Sequence, residues 1–203
     1  MNTVFKSFRT SIGLFIIVLS IPAYSFEQVP VAAEPSVVAG PVITKADAKG
    51  QMTNGPAPEF SLYDTDGKLV TGSSLKGKVI VLDFWATWCV PCQASFPAMQ
   101  RVVNKYKADK EVVFLFVNTM ERDKDVQSWI AKFKKEHSYS FRILLDKDNK
   151  VDAAFDVAGL PTKIIIDKSG MIRFTTMGFE GDSSLEKELI SMIESTKNAR
   201  HEK

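Results

Sequence analysis

Apolar positions along the chain follow two periods, and the longest apolar run carries one acid. Val79-Ile80-Val81-Leu82 and Phe84 are mostly β-branched or bulky, interrupted only by Asp83. That pattern predicts a strand over Lys78–Phe84, buried on both faces as in the middle of a sheet. Downstream, Phe96, Met99, Val102, Val103 and Tyr106 recur at helical spacing. Pro97 lies within that helix and predicts a kink, because it removes one backbone hydrogen bond. Glu111–Val117 reads as a second buried strand, and Val126, Trp129, Ile130 and Phe133 as a second amphipathic helix. Phe141–Leu145 predicts a short strand and Val151–Phe155 a short helix. Thr162–Asp167 and Met171–Met177 straddle the turn Asp167-Lys168-Ser169-Gly170, a hairpin signal. The stripe Leu185, Leu189, Ile190, Ile193 marks a last helix, for which Asp182 or Ser183 is the expected cap. Nearer the start, Phe60–Leu62 and Lys68–Val70 flank an Asp-Gly turn and predict another hairpin. Helices alternating with strands, closed by a hairpin, describe an α/β domain: a central mixed sheet with helices on both faces.

The first residues follow neither period. Lys6 and Arg9 precede the apolar run Ile12–Ile21, and Ala23-Tyr24-Ser25 offers small residues at the −3 and −1 positions of a cleavage site. This is the pattern of a secretory signal peptide over 1–25, which would place the mature protein in the periplasm. A retained signal would make it a membrane anchor instead, although the run is short for a full span. Residues 26–55, rich in Pro, Val, Ala and Gly, read as an exposed linker. The folded domain is then expected over 56–196, with a polar tail over 197–203.

Composition is that of an ordinary globular protein, so the class rests on charge and motif. The whole chain has 26 Lys and Arg against 24 Asp and Glu. Removing 1–25 takes Lys6 and Arg9 and no acid, leaving 24 minus 24, a formal charge of zero. A nucleic-acid partner, which needs a basic face to release counterions, is therefore not expected.

Chemistry concentrates in Phe84-Trp85-Ala86-Thr87-Trp88-Cys89-Val90-Pro91-Cys92, which holds the only two cysteines of the chain. A Cys-x-x-Cys pair between a strand and a helix is the context of a redox motif. Cys89 is expected at the helix N-terminus, exposed, where free N–H groups and the helix dipole favour a thiolate. Pro91 suits the first helical turn. So short a loop would add little stability as a structural disulfide, since the gain grows with loop length. A zinc site would need two more ligands, and the chain offers only His137 and His201. No metal and no cofactor are expected. Asp83, inside the apolar run, should have a raised pKa and could serve as proton acceptor; a carboxylate satisfied by neighbouring N–H groups is the structural alternative. Trp88 is expected on the contact surface around Cys89, Trp85 packed under the motif loop, Trp129 in the core, and His137 solvated at a helix end. Lys132, Lys134 and Lys135 read as a solvated face.

The Trp-Cys-x-Pro-Cys core after Phe84-Trp85-Ala86 resembles the thioredoxin superfamily. Pro58-Glu59-Phe60-Ser61-Leu62, Asp64-Thr65-Asp66-Gly67-Lys68, Leu75-Lys76-Gly77-Lys78 and Pro97 resemble its exported TlpA/ResA-like branch. The resemblance covers about residues 56–196 and implies a thioredoxin-like three-layer sandwich with an N-terminal β-hairpin. It also implies that Cys89 is the nucleophile and Cys92 the resolving thiol, with an acid at Asp83 as in cytosolic thioredoxins. Many members of the branch carry a glutamate three residues after the second cysteine; Ser95 stands there, so that role does not transfer. Gly159-Leu160-Pro161-Thr162 resembles the superfamily's cis-proline segment, in which Leu160 and Pro161 would lie opposite Cys89 and pair with a substrate backbone. Such proteins commonly serve cytochrome c maturation or other specific reductions, and no residue identifies the client.

Val90 and Pro91 bring no positive charge to the thiolate, which favours a reductant over an oxidant. The expected activity is therefore reduction of disulfide-bearing protein substrates, with electrons from a membrane donor of the DsbD type. A disulfide oxidase, a thiol peroxidase and a non-enzymatic binding module are the alternatives. The Pro-x-x-x-Thr-x-x-Cys loop usual in peroxidases is absent before Cys89, and the intact Cys89, Cys92 and Pro161 disfavour an adaptor.

Overall fold

In the computed structural model, which describes residues 51–122 and 125–199, the uninterrupted apolar run becomes the strand at the heart of the sheet. This strand, β4 (Val79–Trp85), is buried at every position. It pairs in parallel with β5 (Val112–Asn118) and antiparallel with β7 (Thr162–Ile166). Beyond β5 lie β6 (Ile143–Leu145) and the hairpin β2 (Ser61–Asp64) and β3 (Leu69–Thr71). Beyond β7 lie β8 (Met171–Met177) and β1 (Gln51–Pro56), each antiparallel to its neighbour. The eight strands run β1-β8-β7-β4-β5-β6-β2-β3, a mixed sheet.

Alternation along β4 divides the core. Val79, Val81 and Trp85 face one apolar cluster with α1 (Val90–Lys105), α2 (Val126–His137) and α4 (Asp182–Asn198). Ile80, Leu82 and Phe84 face the other, which is covered by the first hairpin and the five-residue α3 (Lys150–Ala154). Both cysteines belong to the first cluster, so the reactive pair sits on the face that carries the long helices. Phe96 of α1 anchors that face. It is 1% exposed and its ring lies 5.1 Å from Trp85 and 5.3 Å from Phe141. Asp66-Gly67 makes the expected turn of the first hairpin, with Gly67 at φ +78°, a region open to glycine at little cost.

Several boundaries differ from expectation. Gln51–Gly55, assigned to the linker, form most of strand β1, because the open edge of β8 offers backbone partners that composition cannot reveal. The last helix runs to Asn198, so Lys197 and Asn198 leave the expected tail. Its cap is Gly181, and neither Asp182 nor Ser183 makes a capping bond; Asp182 instead pairs with Arg101 of α1 at 2.7 Å. Pro97 lies inside α1 as expected, on its exposed side. The signal peptide, the linker up to residue 50 and His201 fall outside the described residues. Among the described residues no helix is long and apolar enough to cross a membrane.

Candidate functional site

The site forms where β4 hands the chain to α1. After Trp85 the backbone turns through Ala86-Thr87-Trp88, and Cys89 caps the helix with an extended backbone. Pro91 occupies its first turn, where no N–H is needed. Cys89 and Cys92 are joined by a disulfide, with Cα atoms 5.3 Å apart. The Cys92 N–H also points at Cys89 Sγ, 3.3 Å away. That donor would favour charge on Cys89 once the pair is reduced, as the helix N-terminus does.

Exposure corrects one expectation. Cys89 is only 3% exposed, because its sulfur is tied to Cys92 within the apolar cluster against which Leu160 packs. Cys92 is 0% exposed, so what opening the pair has belongs to Cys89. The Leu160–Pro161 bond is cis, and the Pro161 carbonyl accepts a hydrogen bond from the Gly178 N–H at 2.8 Å. Around the motif stand the exposed Trp88 and Val90, and on the cis-proline side Met177, 66% exposed. The Met177 sulfur lies 3.2 Å from where a side chain on Gly159 would begin. Sequence periodicity placed Met177 at a strand end and gave no sign of this position.

Asp83 is fully buried on the cysteine side of β4, and the structure supplies a partner that the sequence reading missed. Lys163 stands opposite it in the β4–β7 register, with Nζ 3.2 Å from Oδ1. Both side chains are at most 2% exposed. The contact is an ion pair without hydrogen-bond geometry: neither carboxylate oxygen nor the ammonium has a hydrogen-bond partner. Burial pushes the Asp83 carboxyl above the usual range, and the Lys163 charge offsets this only in part. The neighbouring N–H groups proposed as a structural alternative make no bond to it. A lysine in an otherwise apolar strand was the available signal.

The loop after β5 holds the motif from the other side. Glu121 accepts hydrogen bonds from the Thr87 N–H and the Thr87 hydroxyl, each at 2.6 Å, and from Asn118 Nδ2 at 2.6 Å. Trp88 donates its indole N–H to the Met120 carbonyl at 2.8 Å, and the Arg122 guanidinium lies 4.2 Å from its ring centroid. Glu121 and Arg122 also line a cavity of about 440 Å³ with Val126, Gln127 and Leu145, in which neither cysteine takes part. Trp85 lies as expected, fully buried, whereas Trp129, expected in the core, is half-buried at its edge and stacked on Phe133 at 4.8 Å. His137 is exposed at the end of α2, with its ring 5.4 Å from Tyr139.

A bonded Cys-x-x-Cys pair at a helix start, in a chain whose Leu160–Pro161 bond is cis, is built for thiol–disulfide exchange. Residues 52–189 match the Redoxin family model. The chain belongs to the Redoxin family. Among Redoxin relatives, a thiol-disulfide oxidoreductase ResA of Bacillus cereus is 32% identical over 141 residues, 70% of this chain and 79% of its own. ResA of Bacillus subtilis (strain 168) is 41% identical over 118 residues, 57% of this chain and 62% of its own. The crystal structure of the exposed lipoprotein thioredoxin Etrx1 of Streptococcus pneumoniae strain TIGR4 superposes with a TM-score of 0.56 at 28% identity. That match covers 68% of this chain and 99% of the other. Together these place this Redoxin protein in the TlpA/ResA-like branch of the thioredoxin superfamily.

Proposed function

We propose that this thiol-disulfide oxidoreductase works as a protein-disulfide reductase on exported proteins. The observation that carries this reading is the Cys89–Cys92 pair at the N-terminus of α1, with no charged side chain between the cysteines. In the reduced protein the Cys89 thiolate attacks one sulfur of a partner disulfide. The partner S–S bond breaks, its second sulfur leaves as a thiolate and takes up a proton, and a mixed disulfide forms. Cys92, deprotonated with Asp83 as acceptor, then attacks Cys89 Sγ. The partner leaves as a dithiol, and Cys89–Cys92 carries away the oxidation.

Two features support the roles around the sulfurs. The Pro161 carbonyl is already bonded to Gly178, so strand addition by a partner backbone would fall to Leu160, with Trp88 and Met177 as apolar flanks. The buried Asp83–Lys163 pair gives a carboxyl with a raised pKa on the cysteine side of the sheet. Electrons would return from a membrane donor of the DsbD type, and cleavage after Ser25 would release the protein into the periplasm. N-terminal sequencing of the exported protein should begin at Phe26; an intact Met1 would make it an anchored protein. Direction is tested by the reduction potential of the Cys89–Cys92 couple, expected at about −270 mV or below; a value of about −120 mV would make the protein an oxidant.

A further inference from the structure

Trp88 combines two properties that rarely go together. It is 40% exposed beside the reactive sulfur, and it is held at two points: by the Met120 carbonyl on its indole N–H and by Arg122 over its ring. The residue before it is held as firmly. Both donors of Thr87 reach one carboxylate, and the Thr87 carbonyl accepts from Gln93 Nε2 at 2.6 Å. The clamping loop is itself constrained. Met120 takes φ +53°, a conformation unusual for a side chain of that size, and its N–H donates to Asn149 Oδ1 at 2.9 Å. The Thr119 N–H closes onto the Trp85 carbonyl at 3.0 Å.

We propose that Glu121 is a positioning residue that fixes the Thr87-Trp88 turn, so that Trp88 forms a preformed docking platform for protein disulfides. A surface indole free to change rotamer would lose that freedom each time a partner bound, and ordering it in advance removes the penalty. The benefit reaches only partners large enough to cover Trp88. A small disulfide that touches the sulfurs alone gains much less from it. Glu121 acts through Thr87 and touches no reacting atom. The inference rests on the disulfide-reductase reading given above, and it adds a determinant of substrate size.

The test compares pre-reduced full-length chains in single turnovers with insulin and with oxidised glutathione, quenched in acid and counted by thiol alkylation. Glu121→Ala should lower the insulin rate constant about tenfold more than the glutathione rate constant, the equivalent of one hydrogen bond to a charged acceptor. Glu121→Gln should keep the insulin-to-glutathione ratio within about twofold of the original, because its amide can meet Thr87 and Asn118 in the same geometry. Thr87→Ala, which removes one of the bonds and leaves Glu121 in place, should shift the ratio in the same direction, and adding Glu121→Ala to it should bring less than the sum of the two. Equal losses on both disulfides in Glu121→Ala and Thr87→Ala, or a Gln variant as impaired as the Ala variant, would overturn the positioning role. An unaltered chain that reduces neither disulfide would overturn the reductase reading and this proposal with it.

Discussion

Asp83 and Lys163 form a buried ion pair whose members depend on each other more than either contributes alone. Each is at most 2% exposed, with Lys163 Nζ 3.2 Å from Asp83 Oδ1. Removing a single partner leaves an uncompensated charge in the core, which costs about 3–5 kcal/mol, whereas replacing both by apolar residues is often neutral. Asp83→Asn should therefore lower stability in urea by about 3 kcal/mol as well as slow release of the mixed disulfide. Asp83→Leu with Lys163→Met should restore stability and leave release slow. Recovery of both properties in the double variant would return Asp83 to a purely structural role. The pH dependence has a definite sign. Because the folded-state pKa of Asp83 is raised, the folded protein binds its proton more tightly than the unfolded chain does. This carboxyl then contributes stability at low pH that is lost as pH rises from about 4 through the raised folded value. A urea midpoint that falls over that interval, and falls less in the double variant, is the expected result.

At the scale of elements, the strand–loop–helix unit β4–α1 is stiffened by aromatic packing behind the motif. Phe96 meets Trp85, Phe116, Phe133, Tyr139 and Phe141, with ring centroids between 5.1 and 6.1 Å. Phe96→Ala should cost about 3–5 kcal/mol by denaturant unfolding, since the cavity would open among rings held apart by β4, β5, α2 and the segment that leads into β6. A loss below about 1 kcal/mol would mean that the cluster collapses around the gap. These elements were legible in the sequence because their burial has a period. The run in β4, the stripe of α1 and the hairpin turn at Asp167–Gly170 each announce themselves through spacing. What stayed hidden depends on pairing between distant segments. Gln51–Pro56 carries no strand pattern and is a strand because β8 offers an edge. Lys163, Glu121 and Met177 look like ordinary residues until the sheet register and the loop after β5 bring them to the motif. The cysteines and Pro161 were visible because short motifs carry them. Cys89 was nonetheless expected to be exposed, and it is not.

For the whole molecule, a sheet of eight strands places a single reactive disulfide at one end of its central strand. Trp88 and Val90 are exposed next to Cys89 in the chain, and Met177 is exposed on the cis-proline side; these are the apolar surfaces proposed for a protein partner. The proposed mechanism depends most on the order in which the two cysteines attack. Cys89 is 3% exposed and Cys92 0%, and the proposed order has a partner meet Cys89 first and Cys92 act afterwards. Each cysteine is therefore replaced by serine in turn in the native host, and partners are separated on non-reducing gels and identified by mass spectrometry. Cys92→Ser should accumulate mixed disulfides on Cys89, because the nucleophile survives and the releasing thiol is gone. Cys89→Ser should capture almost nothing; capture by it equal to that of Cys92→Ser would contradict the assignment of nucleophile and resolving thiol.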